Sequence, residues 1–113
     1  TGRTSRLEGP VGTLMTFGSV TPDMPSAAEV TAKFRADNYE PEGYTLYAYG
    51  AVQAWAEAAA KAGTFEADKV AEALKDGTEY PTVIGPLSYD EKGDRKVTDY
   101  VFYVWHDGKY APM

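Results

Sequence analysis

Apolar positions recur at helical spacing most consistently between Glu42 and Gly63, in EGYTLYAYGAVQAWAEAAAKAG. Tyr44, Ala48, Ala51, Val52, Trp55, Ala59 and Ala62 fall at i, i+3, i+4, i+7 intervals, which predicts one long amphipathic helix with this set on its buried face. Gln53, Glu57 and Lys61 gather on another side, with Glu57 and Lys61 in the favourable i,i+4 orientation. Eight alanines raise helix propensity and let neighbouring elements approach closely. Gly63 can take the left-handed conformation that ends a helix. Tyr44, Tyr47 and Tyr49 crowd the first turns and must point in several directions. They can pack a core and its rim, or wall a ligand site.

Two shorter helices flank this one. Ser26-Ala27-Ala28-Glu29 has the form of a capping box, which predicts a helix to about Asp37 with Ala27, Val30 and Phe34 on one face. Pro41 stops it from running on into the central helix. Beyond Gly63, Val70, Ala71 and Leu74 form the stripe of a helix over 67–76, with Phe65 as its hydrophobic staple and Gly77 as its stop. Period-two and continuous apolar runs mark the strands. Thr13 to Phe17 lies between two glycines, and Thr82-Val83-Ile84 is a β-branched strand seed before Gly85-Pro86. Tyr100 to Trp105, YVFYVW, is apolar on both faces and suits an interior strand. Asp107-Gly108 then carries a type I′ hairpin signal. Thr1 to Pro10 reads as an irregular lead-in, and Asp90 to Asp94 as a turn. The order is β-α-α-α-β-β-β, an awkward one: three helices need a sheet to cover, while the strands are short and lie at the two ends. YVFYVW has one clear partner, the final hairpin. The chain reads as a piece of something larger.

Composition narrows the function. The 113 residues include 17 acidic and 11 basic side chains, a net charge of −6. With no Lys/Arg cluster to neutralise phosphates, a nucleic-acid partner is excluded, and an anionic membrane surface is disfavoured. The lack of cysteine rules out disulfides and zinc–thiolate sites. No signal peptide opens the sequence, no apolar run reaches membrane-spanning length, and the chain reads as soluble. Asp90, Glu91 and Asp94 resemble part of a calcium loop, but Lys92 and the missing bidentate glutamate argue for a hairpin turn. His106 has no nucleophile or paired carboxylate arranged around it. Gly18 and Gly85 stand alone, so no phosphate loop is present. No enzyme, metal or cofactor is called for.

The segments GTLMTFG (12–18), EPEGYTLYAYGAVQAWAEAAAKAG (40–63), VAEALKDG (70–77), TVIGPLSYDEKGDRK (82–96) and YVFYVWHDGKY (100–110) resemble, in this order, the C-terminal portion of bacterial solute-binding proteins of the leucine/isoleucine/valine-binding type. Those proteins serve ABC importers of branched-chain amino acids. The resemblance implies an α/β chain: a fragment of a two-lobed, type I periplasmic-binding-protein fold, with three helices flanked by short strands of two sheets. It implies that 1–17 end the second lobe, 18–22 cross between lobes, 23–89 form the C-terminal part of the first lobe, 90–99 cross again, and 100–113 finish the second lobe.

The same resemblance implies an amino-acid ligand held between lobes, importer membrane subunits as partners, and a periplasmic or other extracytoplasmic location. An aromatic residue at the start of the central helix packs against the ligand side chain in that family, and the matching position is Tyr44. Tyr47, one turn on, is the second candidate. A ring with a hydroxyl handle on a helix N-terminus suits that contact. The alternative function is a ligand-sensing or regulatory interaction domain on the same architecture. A strand as apolar as YVFYVW, cut from its neighbours, further predicts that the isolated chain self-associates.

Overall fold

A computed structural model describes residues 11–113; the lead-in expected over Thr1–Pro10 lies outside the described residues. The chain divides into two compact units. One comprises the chain up to Ser19 together with Asp99–Met113, and the other is Val20–Thr98.

The first unit is an antiparallel sheet. Strands β1 (Leu14–Gly18), β2 (Tyr100–His106) and β3 (Lys109–Pro112) lie in the order β1-β2-β3. Leu14 pairs with Val104 and Gly18 with Tyr100, while Trp105 pairs with Tyr110. β2 is the middle strand, but the layers that its two apolar faces predict on each side are not both present: Tyr100 and Phe102 on one face are exposed. Its second partner is β1, more than 80 residues earlier, so the expectation of a single clear partner is corrected. The alternation of side chains puts Met15, Phe17, Val101, Tyr103 and Trp105 on one face and Leu14, Thr16, Tyr100, Phe102 and Val104 on the other. Tyr103 is buried and donates its hydroxyl to the Gly18 carbonyl at 2.8 Å. Burial raises its phenol pKa, and the charges of Tyr110 and Asp99 add to that. Asp107 and Gly108 both have positive φ, 52° and 72°, as a type I′ turn requires.

The second unit is helical. A 3-10 turn (Pro25–Ala27) leads into α1 (Ala28–Ala36), followed by α2 (Thr45–Ala62) and α3 (Ala67–Lys75). The central helix ends as predicted, with Gly63 at φ 69° capping its last carbonyls. Its buried face matches the predicted one only at the C-terminal end, at Ala59 and Ala62. Leu46, Gly50, Ala54, Ala58 and Ala59 are buried, whereas Val52 and Trp55 are exposed by 66% and 46%. Glycine and alanine at every fourth position make a shallow groove, and the 82–84 turn and α3 pack close against this side. A ring as large as Trp55 could not be placed in so close an approach.

Three further expectations are corrected. Ser26 does not form a capping box: its hydroxyl donates to the Val83 carbonyl at 2.9 Å, and α1 starts two residues later. Phe65 is not a staple; it is 80% exposed and stacks on Trp55, with ring centroids 5.8 Å apart and planes at 12°. Thr82–Ile84 is not a strand. Thr82 and Gly85 exchange backbone hydrogen bonds, and the Thr82 hydroxyl donates to the Gly85 carbonyl, closing a tight turn between the bridged residues Tyr80 and Leu87. Pro86 has no amide with which to continue a ladder.

This turn is nonetheless the centre of the core. Val83, Ile84 and Leu87 are buried together with Ala54, Ala58, Val70, Ala73 and Tyr80. The Val83 peptide is gripped at both ends, its carbonyl by Ser26 and its amide by Gln53 Oε1 at 2.8 Å. Lys61 reaches Asp76 and Thr78 at the end of α3, joining the two helices. Asp90 Oδ1 accepts the Lys92 and Asp94 amides, each at 2.9 Å, which organises the 90–94 turn from within. Among the described residues no helix is long and apolar enough to cross a membrane.

Candidate functional site

The N-terminal end of α2 is set by two chain reversals. Asn38, at φ 58°, turns the chain out of α1, and Arg35 forks onto Glu40 through Nε and Nη2 at 2.8 and 2.7 Å. This contact holds Glu40 below its ordinary pKa and raises that of Arg35. Pro41 is fully buried, and Gly43, at φ 58°, then delivers Tyr44 as the residue that caps the helix.

The three tyrosines separate as their spacing requires. Tyr49 turns toward α1 and meets Phe34 edge-on at 6.2 Å, and Phe34 in turn packs on Tyr39 at 5.6 Å. Tyr39 shares a hydrogen bond with the Thr45 hydroxyl at 3.2 Å. Tyr47 is half-buried, and its hydroxyl accepts the Val20 amide at 3.4 Å. Tyr44 is 72% exposed and stands edge-on to Tyr47, with centroids 6.2 Å apart. The structure therefore brings the two sequence candidates together: Tyr47 is a fixed ring beneath, and Tyr44 is an outward ring on a helix terminus.

Chemically, this pair offers apolar ring area, ring edges and phenol hydroxyls. Among the described residues, no group of three or more histidine, cysteine or acidic side chains is placed to hold a metal ion. Sequence reasoning did not find a second apolar feature of α2, an open groove of about 500 Å³ lined by Trp55, Ala59, Gly63 and Phe65. Its signal was the unusual pairing of a large aromatic residue with a run of alanines around it.

Comparison with known proteins agrees with the resemblance. A model of the periplasmic binding protein family matches residues 4–109. The chain is 50% identical over 109 residues to Leu/Ile/Val-binding protein homolog 1 of Brucella suis biovar 1, covering 92% of this chain and 29% of that protein. It is 49% identical over 103 residues to an amino acid binding protein of Pseudomonas aeruginosa, covering 90% of this chain and 27% of that one. Among solved structures, a leucine binding protein from Thermotoga maritima superposes with a TM-score of 0.78 at 22% identity, over 94% of this chain and 31% of that one. An ABC transporter substrate-binding protein from Desulfitobacterium hafniense, in complex with Leu, gives 0.73 at 24% identity, over 94% and 32%. These structural neighbours are two-lobed, and the chain spans under a third of the length of the relatives it matches. With the family model spanning nearly its whole length, the chain belongs to the periplasmic binding protein family.

Proposed function

We propose that this chain is the C-terminal part of an extracytoplasmic solute-binding protein that captures an amino acid, of the branched-chain class or a related small solute, for delivery to an ABC importer. In this reading it acts by binding, without catalysis, and its protein partners are the importer's membrane subunits. The relatives' names support the solute class, since they are Leu/Ile/Val-binding and amino acid binding proteins. The domain plan is 1–17 and 100–113 in the second lobe, 23–89 in the first, and 18–22 and 90–99 crossing between them. The division of the chain at Ser19/Val20 and Thr98/Asp99 supports it.

The observation that carries the site is the exposed Tyr44 ring at the start of α2, backed by Tyr47. Such a ring can close over an aliphatic side chain while its hydroxyl stays wet. In the full-length protein, leucine, isoleucine and valine should bind, and Tyr44→Ala should weaken binding by about 1–3 kcal/mol, the scale of one buried aromatic contact. The 113-residue chain alone should give a flat calorimetric trace, because a zwitterion's charges left unpaired cost several kcal/mol. An unchanged affinity in the Tyr44 variant would remove it from the site. A full-length protein that binds none of the three amino acids would overturn the solute class.

A further inference from the structure

The sheet unit is tied together at the two points where the chain leaves it. The Ser19 hydroxyl donates to Asp99 Oδ2 at 2.6 Å, and the Ser19 amide donates to the Asp99 carbonyl at 3.1 Å. One residue earlier, the Gly18 carbonyl accepts the buried Tyr103 hydroxyl. A hydroxyl-to-carboxylate bond is charge-assisted and stronger than a neutral one. Paired with a main-chain bond on the same two residues, it fixes both position and orientation.

The bonds beyond this pair are of a different kind. On one side the Val20 amide goes to Tyr47, at 3.4 Å, and the Pro22 carbonyl accepts the Thr31 hydroxyl at 2.9 Å. On the other side Lys96 donates to the Ser88 carbonyl, and Lys96, Val97 and Thr98 are exposed. Between the sheet's own bonds and those of the helical unit lie one peptide link at 19–20 and a short exposed stretch at 97–98.

We propose that the Ser19–Asp99 pair is a clamp that joins the connections 18–22 and 90–99 into a single hinge, so that they bend together. The pair adds a side-chain tie to the end of the β1–β2 ladder, from which both connections leave. With it, torsion in one is passed to the other through two hydrogen bonds on one residue pair. The inference rests on reading these connections as crossings, and not on which solute is bound.

Residue-resolved amide exchange on the full chain tests it. Ser19→Ala should speed exchange of the Ser19-position and Val20 amides on one connection and of the Lys96 amide on the other together, by about tenfold, the scale of one lost charge-assisted hydrogen bond. Amides of the β1–β2 ladder such as Trp105, and those inside α2, should keep their protection. Ser19→Thr, which retains the hydroxyl, should exchange like the unaltered protein. Asp99→Asn, which keeps an acceptor without the charge, should show a smaller rise at the same residues, and it carries the test if Ser19→Ala does not fold. A rise in one connection only would overturn the clamp. So would an equal rise along the whole β1–β2 ladder, since the pair would then merely hold the sheet. If the Val20 and Lys96 amides of the unaltered chain exchanged as slowly as the ladder itself, the crossing reading would fall instead.

Discussion

Replacing Gly50 by alanine sets two forces on α2 against each other. In an exposed helix interior the change would stabilise by about 1 kcal/mol through propensity alone. At position 50, however, the new Cβ would sit 3.1 Å from Ile84 Cγ1 and 3.5 Å from both Ile84 Cδ1 and Thr82 Oγ1. Relief would require the 82–84 turn to retreat. That turn is held by Gln53 and Ser26 at the Val83 peptide and closed by the Thr82–Gly85 bonds, so it has little freedom. Overpacking of this kind costs about 1–3 kcal/mol. The expected net result for Gly50→Ala is a loss of about 1 kcal/mol. Ile84→Ala removes the obstructing atoms and by itself should cost about 2–5 kcal/mol. In that background Gly50→Ala should become stabilising, by about the propensity difference. The sign inversion is the decisive feature, giving a coupling of about 2 kcal/mol between the two positions. Urea denaturation followed by helical circular dichroism reads all four corners of the cycle. If Gly50→Ala stabilised both backgrounds equally, the turn would be yielding, and the account of why α2 buries this face would be wrong.

Other outcomes follow from the same packing. Leu46→Ala, at a buried position, should cost about 2–5 kcal/mol, whereas Trp55→Ala removes a half-exposed ring stacked on Phe65 and should cost about 1–2 kcal/mol; denaturation midpoints in the reverse order would restore the face predicted from sequence. Asp76 is held well below the usual carboxylate range, chiefly by Lys61 and then by Thr78. Its folded pKa is depressed, so its contribution is present above the ordinary aspartate value near about 4 and is lost as pH falls toward the folded value. Melting curves of the unaltered chain and Asp76→Asn should thus differ by a constant amount at neutral pH and converge in acid; a gap that persisted at the lowest pH would assign the effect to something other than the carboxylate. We also propose that the isolated 113-residue chain self-associates through apolar faces rather than through β2 edges. β1 and β3 occupy those edges, while Leu14, Tyr100 and Phe102 on one sheet face are each more than half exposed. Light scattering that stayed monomeric at high concentration would refute it.

Local signals in the sequence were read correctly where a single residue's conformation decides the outcome. Gly63 ends α2 and Asp107-Gly108 turns the hairpin because their positive φ values are required by the next hydrogen bond, whatever else the chain does. Doubly apolar YVFYVW is the middle strand of its sheet, but cover on both faces did not follow, since Tyr100 and Phe102 are exposed. Several failures were positions where a distant partner competed with a nearby one. Ser26 found the Val83 carbonyl, 57 residues away, in place of an amide three residues on. Phe65 found Trp55, and Lys61 found Asp76 and Thr78. The predicted pairing of YVFYVW missed β1 for the same reason: sequence proximity favoured the hairpin. At the candidate site, the position of Tyr44 and Tyr47 at one helix end was legible from spacing, while any role for them came from the family resemblance alone.

The misassigned face of α2 has a different cause. Periodicity detects an apolar stripe by contrast, and α2 offers little contrast because it carries two. One is the row of Leu46, Gly50, Ala54 and Ala58, whose small side chains admit the 82–84 turn. The other is Tyr44, Ala48, Ala51, Val52 and Trp55, larger and more hydrophobic, and exposed. The stripe with more apolar bulk dominates any periodicity count, yet close packing within this unit selected the smaller one. A helix apolar on two sides is stable in water only when layers cover both. Within the described residues only the smaller stripe is covered, and Val52 and Trp55 on the larger one stay exposed. The count of apolar bulk therefore marked the stripe with the larger side chains, while the close approach of the 82–84 turn at Gly50 decided which one is buried.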